Sequence, residues 1–156
     1  MNIRQATIKD AAAIADFNIQ MAKETESMDL IPEVIGSGVR NMIENPQMGF
    51  YLVAEESKVI QASLMVTTEW SDWRNGLFWW IQSVYVQPEF RRTGLYRRLY
   101  EKVKSLAENE NNVCGFRLYV EHENLAAQKT YRSLGMEQTD YYLFEELKSG
   151  VEYRSN

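Results

Sequence analysis

Four arginines, Arg91, Arg92, Arg97 and Arg98, fall within eight residues of an otherwise acidic chain. The formal net charge is −5, from 17 Lys and Arg against 22 Asp and Glu. The arginines lie in Val84-Tyr85-Val86-Gln87-Pro88-Glu89-Phe90-Arg91-Arg92-Thr93-Gly94-Leu95-Tyr96-Arg97-Arg98, where a β-rich run ends and a helical pattern begins at Thr93-Gly94. A helix start carries about four N–H groups without intrahelical acceptors and a partial positive charge, which together make an anion site. Gly94 allows close approach of a phosphate to the backbone, and arginine grips phosphate oxygens in bidentate fashion. Phosphate binding is one reading; a capped helix with a solvated basic face is the other. The turn matches neither the G-x-x-x-x-G-K-[ST] loop nor the G-x-G-x-x-G fingerprint.

The remaining chemistry-bearing residues are few. There is one cysteine, Cys114, and one histidine, His122. That excludes an intrachain disulfide and zinc-finger ligand spacing, and no metal site is expected. Proton chemistry then falls to Tyr, Asp, Glu or the backbone. Glu69 and Asp72 stand beside Trp70 and Trp73, and Glu24, Glu26 and Asp29 form a second acidic stretch. Trp70, Trp73, Trp79 and Trp80 are the material of an ammonium cage. The plainer reading makes Trp79 or Trp80 a core residue, since alternation along a strand turns one of them inward. Cys114 reads as a small packed hydrophobe, and His122 as a surface or capping residue.

The 156 residues correspond to a single domain, 1–156, without linker, repeat or low-complexity segment. Residues 2–6 read as a strand. Thr7-Ile8-Lys9-Asp10 has capping-box spacing before a helix with Ile14, Phe17 and Met21 on one face, interrupted by the polar residues 24–27. A second helix follows Pro32 and stops at Asn45-Pro46; Gly36 and Gly38 mark it as weak or mobile. Residues 50–55 and 58–68 suggest a hairpin, and residues 78–86 a central strand. Residues 93–109 are helical, with Leu95, Leu99, Val103 and Leu106 on one face. Residues 115–121 read as a strand, residues 124–134 as a helix capped by Asn124 and ended by Gly135, and residues 141–147 as a last strand. This order predicts an α/β domain with a mixed, partly parallel sheet.

At the arginine-rich turn the sequence resembles the GNAT superfamily of acyl-CoA-dependent N-acetyltransferases. That family carries a [QR]-x-x-G-x-[GA] turn; Arg91 and Gly94 match it, and Tyr96 replaces its last small residue. A second segment resembles the family's N-x-x-A-x-x-x-Y-x-x-x-G-[FM] helix, with Asn124, Ala127, Tyr131, Gly135 and Met136 at the matching positions. The resemblance covers nearly the whole chain. It implies a mixed sheet of about six to seven strands flanked by four helices, with acetyl-CoA as co-substrate. Val84, Tyr85 and Val86 would pair with the pantetheine arm. The turn Arg91, Arg92, Thr93, Gly94, Leu95, Tyr96 and Arg97 would hold the pyrophosphate. Asn124 and Ala127 would flank the pantetheine, and Tyr131 would lie near the thioester sulfur.

The implied reaction is transfer of acetyl to a primary amine by direct attack. An amine with a pKa near 10.4 is protonated at pH 7 and needs a base. Glu69 and Glu24 are the candidates, with Gln82 able to position a water. An N–H near Val84 would meet the oxyanion, and Tyr131 would protonate the leaving thiolate. The acidic balance favours a small cationic amine as acceptor. A peptide acceptor, or a CoA-binding module without catalysis, is the alternative. A third reading, outside the family, is a phosphate-ligand-binding domain that never meets CoA. An acidic chain is not expected to bind nucleic acid. No apolar run reaches the roughly 20 residues of a membrane span. The start Met-Asn-Ile-Arg lacks a signal-peptide core, so a cytoplasmic setting is expected. Family members often dimerise, so a homodimer is a further expectation.

Overall fold

The computed structural model describes residues 1–155. Two compact units form, residues 1–118 with 153–155, and Tyr119–Glu152. In the first, β1 (Asn2–Gln5) leads through a short turn into α1 (Ala11–Glu26) and α2 (Pro32–Glu44). Then come β2 (Gly49–Glu56), β3 (Val59–Ser71), β4 (Gly76–Val86), α3 (Leu95–Ala107) and β5 (Val113–Arg117). The strands form one sheet in the order β1-β2-β3-β4-β5. Neighbours are antiparallel except β4 and β5, which run parallel.

Each sheet face is covered by what alternation sends there. Tyr51 and Val53 of β2 pack with Ala11 and Ile14 of α1 and Val39 and Met42 of α2. The phenol of Tyr51 is pushed up to about 12 by that burial. Phe50 and Leu52 turn to the opposite face. There Phe50 meets Trp79 edge-on at 5.4 Å, and Tyr100 of α3 meets Phe116 of β5 at 5.9 Å. Leu99 and Val103 of α3 are fully buried, each of the kind whose burial stabilises by about 1.5–3 kcal/mol. Gly49 opens β2 at φ +142°, and a Cβ there would stand 2.0 Å from the Val66 carbonyl oxygen.

Several expectations from the sequence are met and several are corrected. Thr7 N–H donates to Asp10 Oδ2 at 2.7 Å, closing the predicted box. The hairpin forms as β2 and β3. α1 does not stop before its polar residues: it runs through Glu26 and ends at Ser27, whose φ is +50°. α2 holds as a thirteen-residue helix despite Gly36 and Gly38, because Val39 and Met42 are buried against α1 and β2. The sheet has five strands rather than six to seven. Residues 141–147 form no strand among the described residues, and Tyr142 and Phe144 are 81% and 93% exposed. Their β propensity is real, but a strand exists only with a partner. Cys114 is exposed rather than packed. The C-terminal residues close on the α1–α2 connection, with Ile31 N–H donating to Tyr153 O at 2.9 Å and Ser155 N–H to Asp29 O at 2.8 Å.

Candidate active site

β4 changes face halfway along its length. Trp79 and Ile81 point to the α3 side, where Ile81 pairs with Val66. Strict alternation would put Tyr85 on that side too. Instead, the register with β3 shifts: Met65 faces Gln82 and Ser63 faces Tyr85, so Ser83 and Val84 together oppose Leu64. Ser83 takes φ +50° to make this bulge. A bulge leaves its extra residue out of the ladder. It turns Tyr85 to the α1 side, where its ring lies 5.1 Å from that of Phe17. Only the break in hydrophobic alternation at Gln82-Ser83 signals this in the sequence.

The other edge of β4 is free over the same stretch. Its parallel ladder with β5 runs from Leu77↔Val113 to Trp80↔Arg117 and stops. Among the described residues, 81–86 have no strand partner on that side. Inter-strand hydrogen bonds are therefore available to an extended ligand along this edge.

The strand leads into the arginine-rich turn. Gln87 N–H donates to Gln61 O at 2.9 Å, Phe90 N–H to Gln87 O at 2.9 Å, and Thr93 Oγ1 to Phe90 O at 2.7 Å. Arg92 at φ +63° and Gly94 at φ +78° adopt left-handed conformations, and Gly94 caps α3. The first intrahelical bond goes from Arg98 N–H to Gly94 O. Residues 91–94 are exposed, so the helix start is open to solvent. A Cβ built on Gly94 meets nothing within 4 Å, so the space over the cap is open. Such a turn, exposed and followed by a helix start, is of the kind that can receive an anion. Tyr96 does not close it: its ring stacks on Tyr100 along α3, 6.3 Å away and 6° from parallel.

The candidate side chains divide between places. Glu24 reaches β4 from α1: Tyr85 hydroxyl donates to Glu24 Oε1 at 3.0 Å, and Arg91 Nη2 to Glu24 Oε2 at 2.7 Å. Burial, then the Glu24 hydrogen bond, hold the Tyr85 phenol above its usual pKa. Arg91, expected among the phosphate ligands, is thus turned towards α1. Glu69 stands elsewhere. It accepts from Arg117 at 2.6 Å, and that guanidinium lies 3.7 Å from the Phe78 ring centroid. Glu69 pairs with Phe78, five residues before Ser83 on β4, or about 16 Å at about 3.3 Å per residue. The tryptophans form no cage: Trp79 and Trp80 take opposite sheet faces, and Trp73 at the hairpin tip is 84% exposed. Sequence reasoning did not single out Arg117 or Gln20, since neither belongs to a local motif.

In the second unit, α4 (Leu125–Ser133) is capped as expected: Ala127 N–H donates to Asn124 Oδ1 at 3.2 Å. Gly135 leaves the helix at φ +92°. Tyr131 is half-buried, and burial raises its phenol pKa above the ordinary 10. The phenol is therefore protonated throughout the neutral range. His122 is exposed, and its carbonyl accepts from Gln128 Nε2 at 2.9 Å. Among the described residues no group of three or more His, Cys, Asp or Glu could hold a metal ion. No helix there is long and apolar enough to cross a membrane.

A strand edge without a strand partner over residues 81–86, running into an exposed helix start, is suited to an extended ligand that ends in an anion. Comparison with known proteins gives the family. The sequence model of the acetyltransferase (GNAT) family matches residues 14–136, and the chain belongs to that family. The chain is also similar to a possible acetyltransferase from Clostridium difficile 630, at 43% identity over 94% of this chain and 97% of the other, with a TM-score of 0.87. A predicted acetyltransferase with acetyl-CoA from Clostridium acetobutylicum shares the fold at 19% identity, over 93% and 95% of the two chains and a TM-score of 0.77. So does glucosamine-6-phosphate N-acetyltransferase from Arabidopsis thaliana, at 20% identity, 94% and 98% coverage and a TM-score of 0.72. No curated protein matches the chain. The protein is an acetyltransferase of GNAT type.

Proposed function

We propose that this acetyltransferase moves acetyl from acetyl-CoA to the primary amine of a small, cationic acceptor by direct attack. The observation that carries the donor reading is the open edge of β4 over residues 81–86, running into the left-handed turn at the start of α3. The backbone of Val84, Tyr85 and Val86 pairs with the pantetheine amides. The N–H groups of residues 92–97, with the side chains of Arg92 and Arg97, hold the pyrophosphate. A thioester is already an activated acyl donor, so the protein supplies position and charge rather than a covalent relay.

The acceptor ammonium must lose a proton before it attacks. Both carboxylates are paired with an arginine, and Glu24 serves this step better than Glu69 by position: it lies at Tyr85, next to the bulge, while Glu69 lies opposite Phe78, about 16 Å back along the strand at about 3.3 Å per residue. As the amine nitrogen bonds to the carbonyl carbon, the carbonyl oxygen gains charge, which an N–H at Ser83 or Val84 meets. Collapse breaks the carbon–sulfur bond and the departing thiolate takes up a proton, for which the family motif nominates the Tyr131 phenol. The acidic composition supports a cationic acceptor.

The test is a panel of small amines and short peptides with acetyl-CoA, followed by thiol release. Amine-dependent release with the wild type, reduced about 100-fold or more in Tyr131→Phe, supports this reading. Release confined to peptides would move the acceptor to the protein class. No release with any amine would leave a binding module.

A further inference from the structure

We propose that Arg91 and Tyr85 are positioning residues that clamp Glu24 on the acceptor side of the sheet, and that the Arg91 side chain is not a ligand of the donor's phosphates. This deepens the acetyl-transfer reading and rests on it for the role of Glu24. The two oxygens of Glu24 are held separately, Oε1 by the Tyr85 hydroxyl at 3.0 Å and Oε2 by Arg91 Nη2 at 2.7 Å. Neither partner is itself loose. The Tyr85 ring is buried against Phe17, and its hydroxyl also lies 2.9 Å from Gln20 Oε1. Gln20 and Glu24 are one helical turn apart on α1, so both face the same point.

Arg91 has four anchors. Its Nε donates to Val86 O at 2.9 Å, and its guanidinium carbon lies 5.4 Å from the Tyr85 ring centroid. Nη2 is on Glu24, and its own N–H donates to Pro88 O at 3.3 Å. Arg91 thus offers neither its amide nor its side chain to the helix start. Arg92 and Arg97 differ: both are exposed and make no side-chain hydrogen bond among the described residues. Four arginines close in sequence therefore do two jobs. A carboxylate oxygen has two lone pairs, so each clamped oxygen of Glu24 keeps acceptor capacity for an ammonium group. The clamp fixes where that ammonium sits, on the same sheet face as Gln82.

Two measurements decide this. In calorimetry with acetyl-CoA, Arg91→Gln should bind within twofold of wild type, while Arg92→Gln and Arg97→Gln should each bind about fivefold more weakly. In carbon NMR at neutral pH, the Glu24 side-chain carboxyl resonance should move in Tyr85→Phe and in Arg91→Gln, and return towards wild type in Arg91→Lys. Thermal unfolding checks that each variant is folded; Tyr85→Phe keeps the buried ring. The proposal is overturned if Arg91→Gln weakens acetyl-CoA binding as much as Arg92→Gln does. It is equally overturned if the Glu24 resonance is the same in wild type, Tyr85→Phe and Arg91→Gln. A wild type that binds no acetyl-CoA would count against the donor reading instead, while the Glu24 resonance would still decide the clamp.

Discussion

Gly94 is the residue on which the proposed donor site most depends. Its φ of +78° belongs to the left-handed region, and the space above it is empty. A methyl group there meets no protein atom, so Gly94→Ala should cost only the backbone strain, about 1–2 kcal/mol in thermal unfolding. In the proposed donor site the same methyl stands where a phosphate approaches, so acetyl-CoA affinity in calorimetry should fall about tenfold, roughly 1.4 kcal/mol. Ser63 gives the opposite case. Its side chain is fully buried next to the bulge and its hydroxyl has no hydrogen-bond partner among the described residues. Ser63→Ala removes an unsatisfied polar group, so chemical denaturation should show unchanged stability or a gain of up to about 1 kcal/mol. Gly94 was legible in the sequence because a glycine at a strand-to-helix junction has few other reasons to be there. The direction of Arg91 was not. Four neighbouring arginines look alike as letters, and only the position of Glu24, 67 residues away, separates one from the rest.

Among the elements, β4 does most to organise the site, and the start of α1 holds the frame beside it. Arg4 of β1 reaches Asp10 at the entry to α1 with two hydrogen bonds of 2.8 and 2.9 Å and also binds Glu55 of β2. The Arg4 hydrogen bond holds the nearly buried Asp10 carboxyl below its usual range, against the opposing effect of burial. A depressed carboxyl stabilises the fold above its unfolded pKa near 3.9 and loses that stabilisation as pH falls towards the lower, folded value. Asp10→Asn should therefore lower stability by about 2–4 kcal/mol at pH 7 and flatten its decline below pH 4, read from unfolding at several pH values. The helices and most strands were legible because periodicity and caps are local. The bulge was not, since it exists only against β3. The expected strand at residues 141–147 was a local propensity without a partner.

For the whole molecule, a net charge of −5 hides a basic end. Two of its arginines, Arg92 and Arg97, are exposed near the start of α3, so added salt should weaken donor binding. A cavity of about 390 Å³ lies near the far end of α3, lined by Gln5, Phe50, Thr68, Trp79, Leu106 and Glu110. It is about 17 Å along the helix from the turn, at about 1.5 Å per residue from Leu95 to Leu106. These two regions make the central claim easy to test. Backbone amide NMR during titration with acetyl-CoA reads both at once. The account predicts saturable shifts concentrated in residues 81–86 and 92–97, with the amides around Glu110 unmoved. Shifts centred on the cavity, or none at all, would contradict it.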